Sequence, residues 1–497
     1  MQGMDFLTPK QAWEELVRYR QQYYRKYIAA YSGDRYELHN TSDHGMFWAR
    51  AGKAKVHVPV GADIAATSAD LLFSEEPRFL CFDEATEDNE SVQQHRLDQL
   101  IELNGLHAKL NEAAESAAAL GDVYLKLNWR QDDVPFPILS VIQGDSAWPE
   151  FMFGMLQCLH FFSVLKRDTD ADTVYRMYER YEPGLITTAV FRGTAGDLGA
   201  ELPETALAQF GLEREVVPPV ADMLAVHIPN MKPNRQYRNG GMGRSDFDGL
   251  RSLMDSLDET YSSWMRDVRL AKARLIVPAE YLRRKPADMF NGDNKFTYEF
   301  DEDVETLVAL DIDPESGAAA GITPSQFAIR SAEHAQTCTE LLRNIVNIAG
   351  YAPQSFGIDI DGMAQSGTAL HIREKKSFNT RGKKQTYWKA QLEAIMTAMV
   401  HLDAALFPGM GSDADDSVKV KFADSMSNDI STMSSALQML NSAAAVSTEV
   451  KVQMLHPDWT QKQIAEEVER VKQESGLVDE PDMGLGDFEA RPILPRN

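Results

Sequence analysis

The chain has 497 residues, of which 43% are hydrophobic and 25% charged, with 31 glycines and 22 prolines. That composition suits a globular protein of two to four domains, or one domain extended by insertions, and excludes a collagen or a low-complexity polymer. Fifty lysines and arginines against seventy-five aspartates and glutamates leave a net charge of −25. Gripping nucleic acid requires cations that neutralise phosphates, so a DNA-wrapping or histone-like role is excluded. A surface along which DNA passes without sticking is not.

The three cysteines, Cys81, Cys158 and Cys338, form no CxxC pair and are odd in number. The sequence therefore predicts neither a disulfide framework nor a thiolate zinc site, and favours a reducing compartment. No basic stretch followed by an apolar core stands at the N-terminus, so no signal peptide is expected. The most apolar window, 151–165, is too short to span a bilayer and carries Gln157 and His160. No membrane association is expected.

In chain order, Thr8, Pro9 and Gln11 form a capping box with proline at the first helical position, and the helix they open runs past Tyr23 and Tyr24. The segment 55–60 alternates like a strand, 62–73 reads as helix, and 78–82 as a short strand. One helical stretch covers 88–120, with Leu97, Leu100, Ile101, Leu110, Ala113 and Ala117 at helical spacing, and Gly121 stops it. The period then switches to two: Val123, Leu125, Leu127 and Trp129 predict a half-buried strand. Further strands at 138–142, 161–165, 173–181 and 185–191 complete an antiparallel meander with helices beside it.

The prolines and glycines of 229–244 mark a boundary. A helix over 245–273 follows, striped by Leu250, Leu253, Met254, Leu257, Tyr261, Trp264, Met265 and Val268. Its acidic residues precede its basic ones, as the helix dipole favours. An insertion comes next, strand-like at 275–278, turning at Asn291-Gly292-Asp293 and strongly acidic over 301–315. A second long helix is expected over 324–350, a polar glycine-punctuated loop over 351–367, and a third long helix from Thr368 to Leu406. A linker covers 408–416, helices cover 427–475 with a capping box at Thr460 and Gln463, and the last twenty residues are expected to be disordered.

Enzyme signatures are absent. There is no GxxxxGK[ST] and no HExxH, and Asp246 stands where a dinucleotide fingerprint needs its third glycine. Ser366 lacks the leading glycine of a nucleophile elbow and reads as a turn or cap serine. The pairs Asp311/Asp313 and Asp359/Asp361 would suit two-metal chemistry, although solubilising a strand edge or loop is the plainer reading. His334 and His371 lie near helix stripes and read as structural. The one cationic block is Arg373, Lys375, Lys376, Arg381, Lys383 and Lys384, either a solvated or inter-subunit face or a set of phosphate contacts. No cofactor and no metal is expected. Helices this long need partners along their whole stripe, which a closed ring of copies supplies.

At this point the chain resembles the portal (head–tail connector) proteins of tailed double-stranded-DNA bacteriophages, in the class common to long-tailed phages of Gram-positive hosts. The resemblance rests on Val58–Phe73, on Ala119–Lys126, on Ile228-Pro229-Asn230 leading into Gly243–Leu250, and on Leu257–Arg269, in that order and spacing. It implies an α+β portal-type fold with an antiparallel-sheet wing, long stem helices, a small inserted α/β clip and a helical C-terminal crown, assembled as a dodecameric ring. By that resemblance the wing covers 1–244 and 368–426, the stem helices 245–273 and 324–350, and the clip 274–323. The tunnel loop covers 351–367, the crown 427–475 and a disordered tail 476–497. Asp359, Asp361, Met363, Gln365 and Ser366 would then line the DNA channel, and no residue would be catalytic. The implied partners are eleven further copies of the chain, double-stranded DNA without sequence specificity, the terminase large subunit, the major capsid protein and scaffold, and the head–tail adaptor. The implied location is the capsid vertex of the virion, after assembly in the host cytoplasm. The alternatives are another virion protein (a capsid or adaptor subunit) and an acidic metal-dependent nuclease.

Overall fold

The computed structural model describes residues 6–33, 56–81, 92–130, 133–168, 172–238, 240–271, 274–276, 284–285, 297–298, 323–325, 328–358, 367–414, 416–422, 430–443, 446–456, 459 and 461–474. The chain divides into two compact units. Unit 1 comprises 1–20, 68–245 and 362–497, and unit 2 comprises 21–67 and 246–361. Helices and antiparallel sheets are mixed throughout.

Unit 1 opens with the helix Pro9–Tyr19. Thr8 Oγ1 accepts from the Gln11 amide and the Gln11 side chain accepts from the Thr8 amide, so the capping box read from the sequence is formed. The meander runs through Ala147–Met152, Met155–Asp168, Thr173–Glu182, Leu185–Gly193 and Ala200–Glu201, each strand antiparallel to the next. Glu215–Val216 pairs with Leu185–Gly193 as well. A separate three-stranded sheet has Asp122–Asn128 at its centre, between Ala225–Pro229 and Ile138–Gln143. A two-stranded ladder joins Arg78–Leu80 to Lys419–Lys421.

The core of unit 1 forms where Leu106–Leu120 and the C-terminal half of the 40-residue helix Gly367–Leu406 pack on that three-stranded sheet. Small buried residues (Ala113, Ala114 and Ala117) let the first helix lie close to the strands. Trp388, Leu392, Ile395, Met396 and Met399 supply bulk from the second. Burying side chains of this size contributes about 1.5–3 kcal/mol each, which holds the long helix in place.

Three sequence expectations change here. The stretch 88–120 is two helices, Val92–Asn104 and Leu106–Leu120, because Gly105 takes a left-handed conformation with φ 56°. Asn104 supports the break by donating to the Leu100 and Pro137 carbonyls and accepting from the Leu139 amide. Asp122–Asn128 is buried on both faces rather than one. Its polar positions are paired instead of solvated: Asp122 with His227, and Lys126 with Glu179. The strand Lys419–Lys421 was not expected. The helices expected over 427–475 are Ile430–Ser442, Thr448–Leu455 and Gln461–Glu474 among the described residues. Thr460 and the expected disordered tail lie outside the described residues.

In unit 2, residues 56–59 form no strand despite their alternation. Their backbone is held by one helix instead. The Val56 amide donates to Ser262 Oγ, the Val58 amide to Asp258 Oδ1, and His57 Nδ1 meets Asp258 Oδ2 at 2.8 Å. With those amides satisfied by side chains, no neighbouring strand is required. The helix Val60–Phe73 follows at once.

Candidate functional site

The insertion and the helices that flank it carry the geometry of interest in unit 2. The first flanking helix is Arg251–Leu270, six residues later in starting than the sequence predicts. Residues 246–250 turn instead, and Asp246 accepts a hydrogen bond from Tyr351 Oη at 2.7 Å. The second is Ser331–Ala349, ending at Gly350. Its expected first turns are absent because Thr323–Ser325 forms a strand antiparallel to Arg274–Ile276, with Pro324 opposite Leu275. The two helices are antiparallel neighbours. Asp267, near the end of the first, holds Arg330 at 2.9 Å and His334 at 3.0 Å at the start of the second. Asp246 and Tyr351 join them at the opposite end.

Trp264 stacks on the His334 ring, with centroids 6.1 Å apart and planes 11° from parallel. Hydrogen bonds from His334 and Arg330 hold the Asp267 carboxyl below the usual aspartate range. His334 is thus a structural histidine, as read from the sequence. The helix pair buries only part of its apolar stripe. Met254, Leu257, Cys338, Ile345 and Val346 are covered, whereas Val268, Leu270, Ile329 and Ile348 remain exposed.

Beyond the paired strands, Arg284–Lys285 pairs with Thr297–Tyr298. The Asn291-Gly292-Asp293 turn, the acidic run 301–315 and the Asp311/Asp313 pair lie outside the described residues. After the second helix, Tyr351, Ala352 and Pro353 are buried and a short 3₁₀ turn covers Pro353–Phe356. Asp359, Asp361, Met363, Gln365 and Ser366 lie outside the described residues, so the structure does not place them.

The cationic block belongs to unit 1, on the first half of Gly367–Leu406. Its six members separate. Lys375, Lys376 and Lys383 are exposed. Arg381 and Lys384 are buried, and Lys384 Nζ donates to Ser68 Oγ at 2.6 Å. A buried ammonium held by a hydroxyl of its own chain does not reach a phosphate, so the block is not one continuous cationic face. The Arg373 side chain lies outside the described residues.

Two segments singled out in the sequence for their order meet in unit 1. The Gly243 amide donates to Asp122 Oδ1 at 2.6 Å, and His227 Nε2 meets the same oxygen at 2.6 Å. The Asn230 amide donates to the Gly121 carbonyl, and Ser245 Oγ donates to the Ala119 carbonyl. Glycine is required at this close approach: Gly121 has φ 98°, and a Cβ on Gly243 would lie 2.1 Å from the Gly121 oxygen. That Asp122 is the shared acceptor does not follow from the order of these segments along the chain. The aspartate directly after a helix-stopping glycine was the available signal.

Comparison with known proteins identifies the chain's relatives. The family model "Phage portal protein, SPP1 Gp6-like" matches residues 31–477. No curated protein matches the chain. Among solved structures, a chain in the virion of a native gene transfer agent particle aligns with TM-score 0.40 and 11% identity, covering 80% of this chain and 89% of that one. A chain in the neck of an empty gene transfer agent particle, computed with C6 symmetry, aligns with TM-score 0.40 and 12% identity over the same shares. A third, in the neck of a native particle computed with C12 symmetry, aligns with TM-score 0.39 and 11% identity, again over 80% and 89%. The assignment rests on the family model, which spans most of the chain and describes structural rather than enzymatic proteins. The chain belongs to the SPP1 Gp6-like family of phage portal proteins, structural components of the virion.

Proposed function

We propose that twelve copies of this portal protein form a ring at one vertex of the capsid, through which double-stranded DNA is packaged and later ejected. The observation that carries this reading is the family match over residues 31–477. The chain works without catalysis. Its partners are the terminase large subunit during packaging, the major capsid protein and scaffold during assembly in the host cytoplasm, and the head–tail adaptor afterwards. The phage class is that of long-tailed phages of Gram-positive hosts. The regional assignment follows the resemblance: wing 1–244 and 368–426, stem helices from 245–273 and 324–350, clip 274–323, tunnel loop 351–367, crown 427–475 and tail 476–497.

Two features support a ring. The helix pair leaves Val268, Leu270 and Ile348 exposed in the single chain, with Ile329 exposed just before the second helix, as a surface completed by neighbouring copies would. The net charge of −25 suits a passage for a polyanion, since a mostly electronegative wall lets DNA slide. Sparse cationic contacts would come from Arg373, Lys375, Lys376 and Lys383 of each copy, with Asp359, Asp361, Met363, Gln365 and Ser366 at the channel. Arg381 and Lys384 drop out of that set because they are buried.

Light scattering after size exclusion, with negative-stain images of the same peak, tests the assembly. A ring of twelve times the chain mass with a central hole is expected. A homogeneous monomer that stays monomeric when mixed with capsid protein and scaffold contradicts it. Deleting 358–365 is expected to leave the ring intact and stop packaging, and normal DNA filling would sink the tunnel-loop assignment. Nuclease chemistry at Asp359/Asp361 would instead appear as Mg²⁺-dependent cutting of DNA that is lost in D359N/D361N.

A further inference from the structure

One group in the wing sheet has chemistry that the portal function does not use. Glu150, Cys158 and His160 present three different donor atoms, all within 4.8 Å of one another. Among the described residues they are the one such group of at least three His, Cys, Asp or Glu side chains. Strand geometry brings them together. Cys158 and His160 are two residues apart on Met155–Asp168 and share a face, and Glu150 stands directly opposite Cys158 on the paired strand Ala147–Met152. Cys158 and His160 are fully buried, while the Glu150 side chain retains 18% exposure, leaving one side open to solvent.

The donors meet around a single ring atom. His160 Nε2 lies 2.7 Å from Glu150 Oε1 and 3.4 Å from Cys158 Sγ. Without metal, the Glu150 carboxylate accepts hydrogen bonds from its neighbours, His160 and Cys158. A cation bound at Nε2 in place of a proton would have the sulfur and the carboxylate as adjacent donors. The outer partners are arranged accordingly. His160 Nδ1 lies 2.8 Å from Tyr178 Oη, which orients the ring as the partners of metal-ligating histidines do. The Leu7 amide donates to Glu150 Oε1 at 2.8 Å and orients the carboxylate.

We propose that Glu150, Cys158 and His160 form a zinc site with three protein ligands and a fourth position taken by water. Zinc accepts this nitrogen, sulfur and oxygen set tetrahedrally, with bonds of about 2.0–2.1 Å to nitrogen, about 2.3 Å to sulfur and about 2.0–2.2 Å to oxygen. Those lengths require a nitrogen–sulfur separation of about 3.5 Å, close to the 3.4 Å present. They require about 3.4 Å between nitrogen and oxygen, so the partly exposed Glu150 carboxylate draws back by about 0.7 Å. Binding converts the Cys158 thiol to thiolate and releases its proton to water, neutral His160 keeps its one proton on Nδ1, donated to Tyr178 Oη, and the two anionic ligands then balance the dication. The absence of a CxxC pair gave no hint of this site, because its third ligand comes from a different strand.

The test uses reduced full-length protein stripped of metal with chelator, titrated with Co²⁺ and then Zn²⁺. One Co²⁺ per chain should produce a thiolate-to-cobalt charge-transfer band, bleached by an equivalent of Zn²⁺. C158S should abolish the band, leaving no contribution from Cys81 or Cys338. E150Q should keep the band and weaken Zn²⁺ binding at least about tenfold, and Y178F by about 10–100-fold. Should C158S fail to fold by far-UV circular dichroism, the other two variants decide the matter. A wild-type protein without the band, a folded C158S that retains it, or E150Q and Y178F that both bind Zn²⁺ like wild type would each overturn the assignment.

Discussion

The buried ion pair between Arg96 and Asp403 tests how the long helix is anchored. Arg96 Nε lies 3.0 Å from Asp403 Oδ2 and Nη2 lies 2.8 Å from Oδ1, a two-pronged contact with side-chain exposures of 3% and 0%. Ser412 Oγ donates to Asp403 Oδ2 at 2.7 Å and Arg96 Nη2 also donates to the Pro135 carbonyl. The pair ties the last turns of Gly367–Leu406 to Val92–Asn104. Replacing Asp403 by Ala leaves a guanidinium buried with its charge uncompensated, which costs about 3–5 kcal/mol. Unit 1 has about 330 residues, and with an unfolding entropy of about 2.1 cal/mol/K per residue that loss lowers Tm by about 4–7 °C. The double substitution R96M/D403L removes both charges and is expected to recover most of the loss, because well-packed apolar groups often match a buried pair. Differential scanning calorimetry of the three proteins at one concentration is the assay. A fall below about 1 °C in D403A, or a double variant no better than D403A, would refute the reasoning.

Other substitutions separate backbone from side-chain effects. Gly121→Ala places a methyl group 2.9 Å from the Ser245 nitrogen at a φ of 98°, so it is expected to cost more than the left-handed penalty of about 1–2 kcal/mol. Gly105→Ala, with nothing within 4 Å of its Cβ position, should cost only that penalty, and denaturant melts compare the two. Lys384→Ala is expected to destabilise the fold because it removes a buried donor to Ser68, whereas Lys383→Ala should be neutral within about 0.5 kcal/mol. K375E/K383E should leave the melting curve unchanged and reduce the DNA packaged per particle, and unchanged packaging would remove these two lysines from the channel. Acid should loosen the pairing of Arg251–Leu270 with Ser331–Ala349. The Asp267 carboxyl is held below its ordinary value near 3.8, so its contribution is present above that value and is lost as the pH falls through the lower, folded one. Hydrogen exchange across Ser331–Ala349 should therefore quicken only in that acid range, and D267N should show the faster exchange already at neutral pH.

Local chemistry accounts for much of what could be read in advance. The capping box at Thr8 and Gln11 involves four consecutive residues and needs no distant partner, so it formed as read. Hydrophobic periodicity located Thr173–Glu182 and Leu185–Gly193 to within two residues, because alternate burial on a sheet repeats every second position. It missed Ala147–Met152, began Met155–Asp168 six residues late and assigned Ile138–Gln143 to the meander instead of the three-stranded sheet. The order and spacing of the four resembling segments pointed to the portal family, which the family model over residues 31–477 bears out.

Tertiary structure decided wherever a backbone amide or a charge had a choice of partner. Residues 56–59 alternate like a strand, yet Asp258 and Ser262, some two hundred positions away, take their amides. Asp122 and Lys126 look solvent-facing in sequence but lie within the sheet, because His227 and Glu179 come from other strands to neutralise the cost of burial. Lys384 and Lys383 are adjacent and chemically identical. The turn of the helix buries one beside Ser68 and exposes the other. The donor set of Glu150, Cys158 and His160 likewise exists only through strand register, since a one-residue slip would move Glu150 to the opposite face of the sheet. Sequence alone determined most of the helices and the family, for these depend on local pattern and order along the chain. Which polar groups are buried, and against what, was decided by contacts between segments far apart in that order.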